Sequence, residues 1–131
     1  MSNKTAPPIR QTIAFLPVKD LARSLAFYHA HFALAPAYRR PSVAILEVRP
    51  ESFLGLVEKP DRVEGDKTFT FSFVVDNVAP WFDKLTTAGA VIKGPPIFKE
   101  EFGINIIYVP DPDGHTIEVL EMRDAGWPRS A

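Results

Sequence analysis

Compared with itself at an offset of 57 residues, the chain lays VKDLA (18–22) over VDNVA (75–79), and both pieces sit where an apolar strand gives way to a helix. A repeat of this size implies two similar modules, neither of which can bury a helix stripe and a sheet face alone. In the first half, Gln11 to Val18 reads as a buried strand, and Asp20 is placed to cap a helix. Leu21, Leu25, Tyr28 and Phe32 recur at steps of four, three and four, which gives one apolar face to a helix over Leu21 to His31. Strands APAYRR, SVAILEV and SFLGLVEK follow, separated at Pro41 and Pro50. In the second half, TFTFSFVV (68–75) alternates cleanly, and Asn77 caps a helix carrying Val78, Trp81, Phe82 and Leu85, with Pro80 in the first turn and Gly89 at the exit. AVIKG, INIIYVP and HTIEVLE then supply three more strands. The expected fold is α+β: two paired βαβββ modules joined into one curved mixed sheet, helices on the outer face and a cavity on the other. We read residues 1–131 as a single domain, with module 1 at about 11–58, a polar surface linker at 59–67 broken by Pro60 and Gly65, module 2 at about 68–121 and a tail at 122–131.

A chain of 131 residues that is 46% hydrophobic can bury most of its surface without staples. It contains no cysteine, so disulfides, thiolate nucleophiles and Cys-based metal sites are excluded. Lys and Arg (15) nearly balance Asp and Glu (16) and are scattered, which argues against binding a nucleic acid. No apolar run is long enough to span a membrane, and MSNKTAPPIR lacks the apolar centre of a secretion signal, so the expectation is a soluble cytoplasmic protein without a membrane partner. No Ser-His-Asp order, phosphate loop or nucleotide fingerprint appears.

PVKDLARSLAFY (17–28), YVPDPDGHTIEVLE (108–121) and the paired βαβββ order together resemble the vicinal oxygen chelate superfamily, which groups glyoxalase, extradiol dioxygenases, fosfomycin-resistance enzymes and bleomycin-resistance proteins. The resemblance covers nearly the whole chain; its motifs are specific for the fold and poorly specific for the reaction. It implies a U-shaped sheet around a pocket and, commonly, a homodimer whose interface borders that pocket; the sheet edges left open by two joined modules point the same way. Where the family's first helix usually ends in Gly, this chain has Ala33, which a left-handed exit would strain by about 1 kcal/mol.

Metal-dependent members of the family place ligands, usually two His and one or two Glu, on inward positions of the first, fourth, fifth and last strands. Carried onto this chain, those positions hold Ile13, Gly55, Thr70 and Glu118. One carboxylate cannot retain a divalent metal, so the expectation is no metal and no cofactor. His115 stands three residues from Glu118 and so on the opposite strand face. It is assigned with Asp111, Pro112, Asp113 and Gly114 to a turn whose carboxylates bond their own backbone.

Glu118 has two readings: a carboxylate paired with an Arg or at a wet cavity edge, or a group that recognises a cationic or hydrogen-bond-donating ligand. If the chain is an enzyme, Glu118 is the catalytic candidate, a base whose pKa apolar walls would raise. Strand alternation turns Ile13, Phe15, Phe53, Thr70, Ser72, Thr116, Glu118 and Leu120 inward, giving an apolar pocket with a few polar anchors as the ligand-binding candidate. His29 and His31 point away from each other on the helix and read as solvated. Arg39 and Arg40 are either a solvated turn or a grip for an anion. The segment GPPIFKEEFG (94–103), with Phe98 and Phe102, is longer than a hairpin needs and is either a lid or a cap on the core. Trp81 is assigned to helix core, and Trp127 to a dimer interface or pocket mouth. These observations favour a metal-free protein that sequesters an amphipathic or aromatic small molecule, in the manner of bleomycin-resistance proteins. The alternative is a lyase or isomerase of the glyoxalase type, with displaced metal ligands such as Glu58 or Glu47, or metal-free with Glu118 as base.

Overall fold

Each helix begins where its strand ends because side chains are there to take the first amides. In the computed structural model, which describes residues 6–63 and 66–128, Asp20 accepts from the Arg23 amide at 3.1 Å and Asn77 from the Ala79 amide at 3.0 Å. Two more carboxylates complete these ends in the same way in both halves. Glu58 accepts from the Leu21 amide at 2.9 Å, and Glu121 accepts from the Val78 amide at 3.1 Å. Glu58, a candidate displaced metal ligand, is therefore engaged at a helix start.

The first module comprises β1 (Thr12–Val18), α1 (Leu21–Phe32), β2 (Pro36–Arg40), β3 (Val43–Arg49) and β4 (Ser52–Glu58). The second comprises β5 (Thr70–Val75), α2 (Val78–Thr87), β6 (Ile97–Lys99), β7 (Ile104–Pro110) and β8 (Thr116–Met122). Each module carries its own mixed four-stranded sheet, ordered β1-β4-β3-β2 and β5-β8-β7-β6, with the first and last strands of each module parallel. The paired βαβββ architecture is as expected; among the described residues its ladders run within the modules and not between them.

One apolar core joins the halves. Leu16, Leu21, Tyr28, Leu46 and Leu54 of the first module and Val78, Leu85, Ile107, Ile117 and Val119 of the second belong to one buried cluster. Phe32 at the end of α1 lies 4.9 Å from the Phe73 ring and stacks on Trp81 at 5.9 Å, so Trp81 packs against the core as expected.

Three local expectations are corrected. AVIKG (90–94) forms no strand; Val91 is 69% exposed, and the edge of β7 is taken instead by Ile97–Lys99, inside the segment read as a loop. The linker is not wholly superficial, because Arg62 is buried and donates to the Asp66 and Lys67 carbonyl oxygens. The Gly65 break itself lies outside the described residues. His31 is half-buried against Phe27, its Nδ1 buried and without a hydrogen-bond partner among the described residues; burial, and secondarily the Lys84 charge, lower its pKa. His29 is exposed, as expected.

Candidate functional site

The stretch Asp111–His115 is a structural clamp. Asp111 accepts from the Asp113 and His115 amides, each at 2.9 Å, and from the Tyr28 hydroxyl at 2.8 Å. Desolvation by burial raises the Asp111 pKa in spite of these bonds, and burial followed by the Asp111 charge raises that of Tyr28, which stays a neutral donor. Asp113 turns away from its own turn to the first module. It accepts from the Lys19 amide at 2.8 Å, lies 3.4 Å from the Arg62 Nε and 3.6 Å from Arg23. His115 is fully buried; its Nδ1 accepts from the Phe69 amide, which leaves Nε2 to donate to the Pro17 carbonyl oxygen at 2.7 Å. Through Tyr28, Lys19, Arg23 and the Pro17 carbonyl oxygen the turn thus holds the start of the second module's last strand against the first module, while its remaining bonds keep its own shape.

The candidate pocket residues lie on the sheet faces turned away from the helices. In β1, Leu16 and Val18 enter the core, while Ile13 and Phe15 are 45% and 50% exposed. Phe53 stands opposite Ile13, and Gly55 opposite Phe15. A Cβ on Gly55 would lie 2.4 Å from the Phe15 ring, so the ring occupies the space in which a side chain at position 55 would sit. In the second sheet, Thr70 faces Thr116, Ser72 faces Glu118, and Val74 faces Leu120 across the parallel pair. The Ser72 hydroxyl donates to Glu118 Oε1 at 2.7 Å. The structure therefore divides the candidates into an apolar group, Ile13, Phe15 and Phe53, and a mainly polar one, Thr70, Ser72, Thr116 and Glu118 with Leu120 beside them.

Register brings in residues that the sequence reading missed. Tyr108 stands opposite Glu118, so Ser72, Glu118 and Tyr108 form a row across β5, β8 and β7. The Lys99 ammonium lies 5.2 Å from the centre of the Tyr108 ring. In the first sheet the equivalent row is Phe15, Gly55 and Ile45. Laying SFLGLVEK (52–59) over HTIEVLEM (115–122), an offset of 63 residues, sets Gly55 against Glu118, and the same offset sets Ile45 against Tyr108, which was the available signal.

Two cavities adjoin these faces. One of about 400 Å³ runs along the free edge of β5, bounded by Ser72 and Val74, by Phe32 and Trp81, and by Arg49 and Ser52 of the first module. Another of about 420 Å³ is walled by Phe102, Ile104, Leu120 and Trp127, which sets Trp127 at a cavity mouth. Phe98 is exposed and carries the Arg123 guanidinium 5.8 Å from its ring centre. Arg39 donates to the Arg40 carbonyl oxygen; both end strand β2, just before the Pro41 turn, and are exposed.

The donor set does not fit a divalent metal. Ile13 and Gly55 have no side-chain donor atom, Thr70 has only a neutral hydroxyl, and among the described residues no three His, Asp or Glu side chains are placed to hold a metal ion together. Nor is any helix among the described residues long and apolar enough to cross a membrane.

Comparison with known proteins agrees with this architecture. A bleomycin resistance determinant encoded on the transposon Tn5 superposes with a TM-score of 0.73 at 20% identity, over 85% of this chain and 96% of that one. A bleomycin-binding protein complexed with bleomycin gives 0.72 at 21% identity, over 85% and 97%. A lactoylglutathione lyase from Agrobacterium tumefaciens gives 0.76 at 20% identity, over 93% and 100%. At these identities the likeness establishes the fold. No curated protein matches the sequence. Residues 10–119 match the Glyoxalase/Bleomycin resistance protein/Dioxygenase superfamily, and the chain belongs to that family.

Proposed function

We propose that the protein binds an amphipathic, aromatic small molecule between its two helix-free sheet faces, without a metal, and sequesters it rather than transforming it. The observation that carries this reading is the pair of equivalent rows. Phe15, Gly55 and Ile45 offer a flat apolar surface, and Ser72, Glu118 and Tyr108 offer hydrogen-bonding groups at the corresponding places. An apolar wall supplies most of the binding free energy by burial and stacking, and a few fixed polar groups set orientation. Ile13 and Phe53 extend the apolar wall, and Thr70, Thr116 and Leu120 extend the other. Glu118, with one oxygen already held by Ser72, keeps the second for a donor on the ligand.

The proposal includes a cytoplasmic homodimer. Ile13, Phe15 and Tyr38 of the first sheet and Val74 and Ile97 of the second are each at least 44% exposed, apolar surface that a second copy would cover. A fluorescence titration with N-phenylnaphthylamine, a neutral aromatic probe, tests the reading. Saturable binding is expected, weakened by about tenfold in Phe15→Ala, since truncating a stacked ring removes roughly 1–2 kcal/mol. Phe15 is half exposed, so the variant keeps its fold. Equal affinity in the two proteins would remove the apolar wall from the account.

A further inference from the structure

The β6 strand is only three residues long, yet it brings Lys99 over the polar end of the Ser72–Glu118–Tyr108 row. The lysine leans on the Tyr108 ring, and the Tyr108 oxygen first, then the Glu118 and Glu101 charges, favour its charged form. Among the described residues this ammonium makes no ion pair. The nearest acid of the row is already occupied on one oxygen by Ser72. A cation held in place by an aromatic ring, reachable from solvent and in no direct ion pair, can take an anion as its contact partner.

We infer that Lys99, steadied by Tyr108, is an acid-recognising station of this site, and that the ligand class is an aromatic body carrying a carboxylate, sulfonate or phenolate. This rests on the proposed binding of aromatic compounds to the helix-free faces. The two rows then divide the ligand between them: the Phe15 row takes the apolar body, Glu118 and Ser72 take a hydrogen-bond donor, and Lys99 takes the acidic end.

Two probes that share one aromatic frame separate the inference from the reading beneath it: N-phenylnaphthylamine, which is neutral, and anilinonaphthalenesulfonate, which adds a sulfonate. The unmodified protein should bind the sulfonate about three- to tenfold more tightly than its neutral twin, the size of gain expected from one partly solvated charge pair. In Lys99→Met the preference should vanish while the neutral probe binds as before; Lys99→Arg should restore it. Loss of both probes equally in Lys99→Met, or no sulfonate preference in the unmodified protein, would overturn the inference and leave the binding reading standing. Failure of both probes to bind the unmodified protein would overturn the two together.

Discussion

Ala33 ends α1 with φ 56° and ψ 30°, a left-handed backbone that an L-residue adopts at a cost of about 1 kcal/mol. Its amide still closes the helix by donating to the His29 carbonyl oxygen at 3.0 Å, so the strain is retained because the exit it makes is needed. Ala33→Gly should therefore stabilise the protein by roughly 0.5–1 kcal/mol, after allowance for the extra freedom glycine gives the unfolded chain. Thermal unfolding checks this; an unchanged or lower midpoint would mean that the turn prefers alanine. Strain at position 33 was legible because a glycine position held an alanine. The role of Gly55 was not, since a sequence shows that an acid is missing there but not that the Phe15 ring has moved into its space.

Elements were legible where a segment's own pattern decides them and misplaced where a neighbour decides. The alternation of TFTFSFVV and the spacing of Leu21, Leu25, Tyr28 and Phe32 are local, and both yielded the right element. AVIKG has strand-like composition, but its place beside β7 is taken by Ile97–Lys99, and no local pattern reports which segment wins an edge. The same holds for the Asp111–His115 turn. Its self-bonded Asp111 follows from turn chemistry, whereas the reach of Asp113 to Lys19 and to a buried Arg62 is a tertiary fact. Asp113→Ala would leave the Arg62 guanidinium buried without its carboxylate, which costs about 3 kcal/mol or more. Arg23, half exposed, adds little. Urea unfolding should show a correspondingly lower midpoint; a loss below about 1 kcal/mol would mean that the backbone acceptors of Arg62 suffice without the carboxylate.

At the scale of the molecule, duplication explains both what the two halves share and how they differ. Glu58 and Glu121 do the same work at the two helix starts, and the core runs through both modules. The helix-free faces have diverged: where one half sets Phe15, Gly55 and Ile45 across its sheet, the other sets Ser72, Glu118 and Tyr108. Self-comparison of the sequence was enough to find the candidate positions, because register follows from the repeat. Lys99 escaped it, since its strand was placed in the wrong segment. The central claim is that these unlike rows bracket one aromatic ligand with no ion between them. Backbone amide chemical shifts of isotopically labelled protein, titrated with anilinonaphthalenesulfonate in the presence of excess chelator, test it most directly. The account predicts saturable shifts at Phe15, Gly55 and Ile45 together with Ser72, Glu118, Tyr108 and Lys99. Shifts confined to the helix side of the sheets, or shifts that appear only after a divalent metal is supplied in place of the chelator, would contradict it.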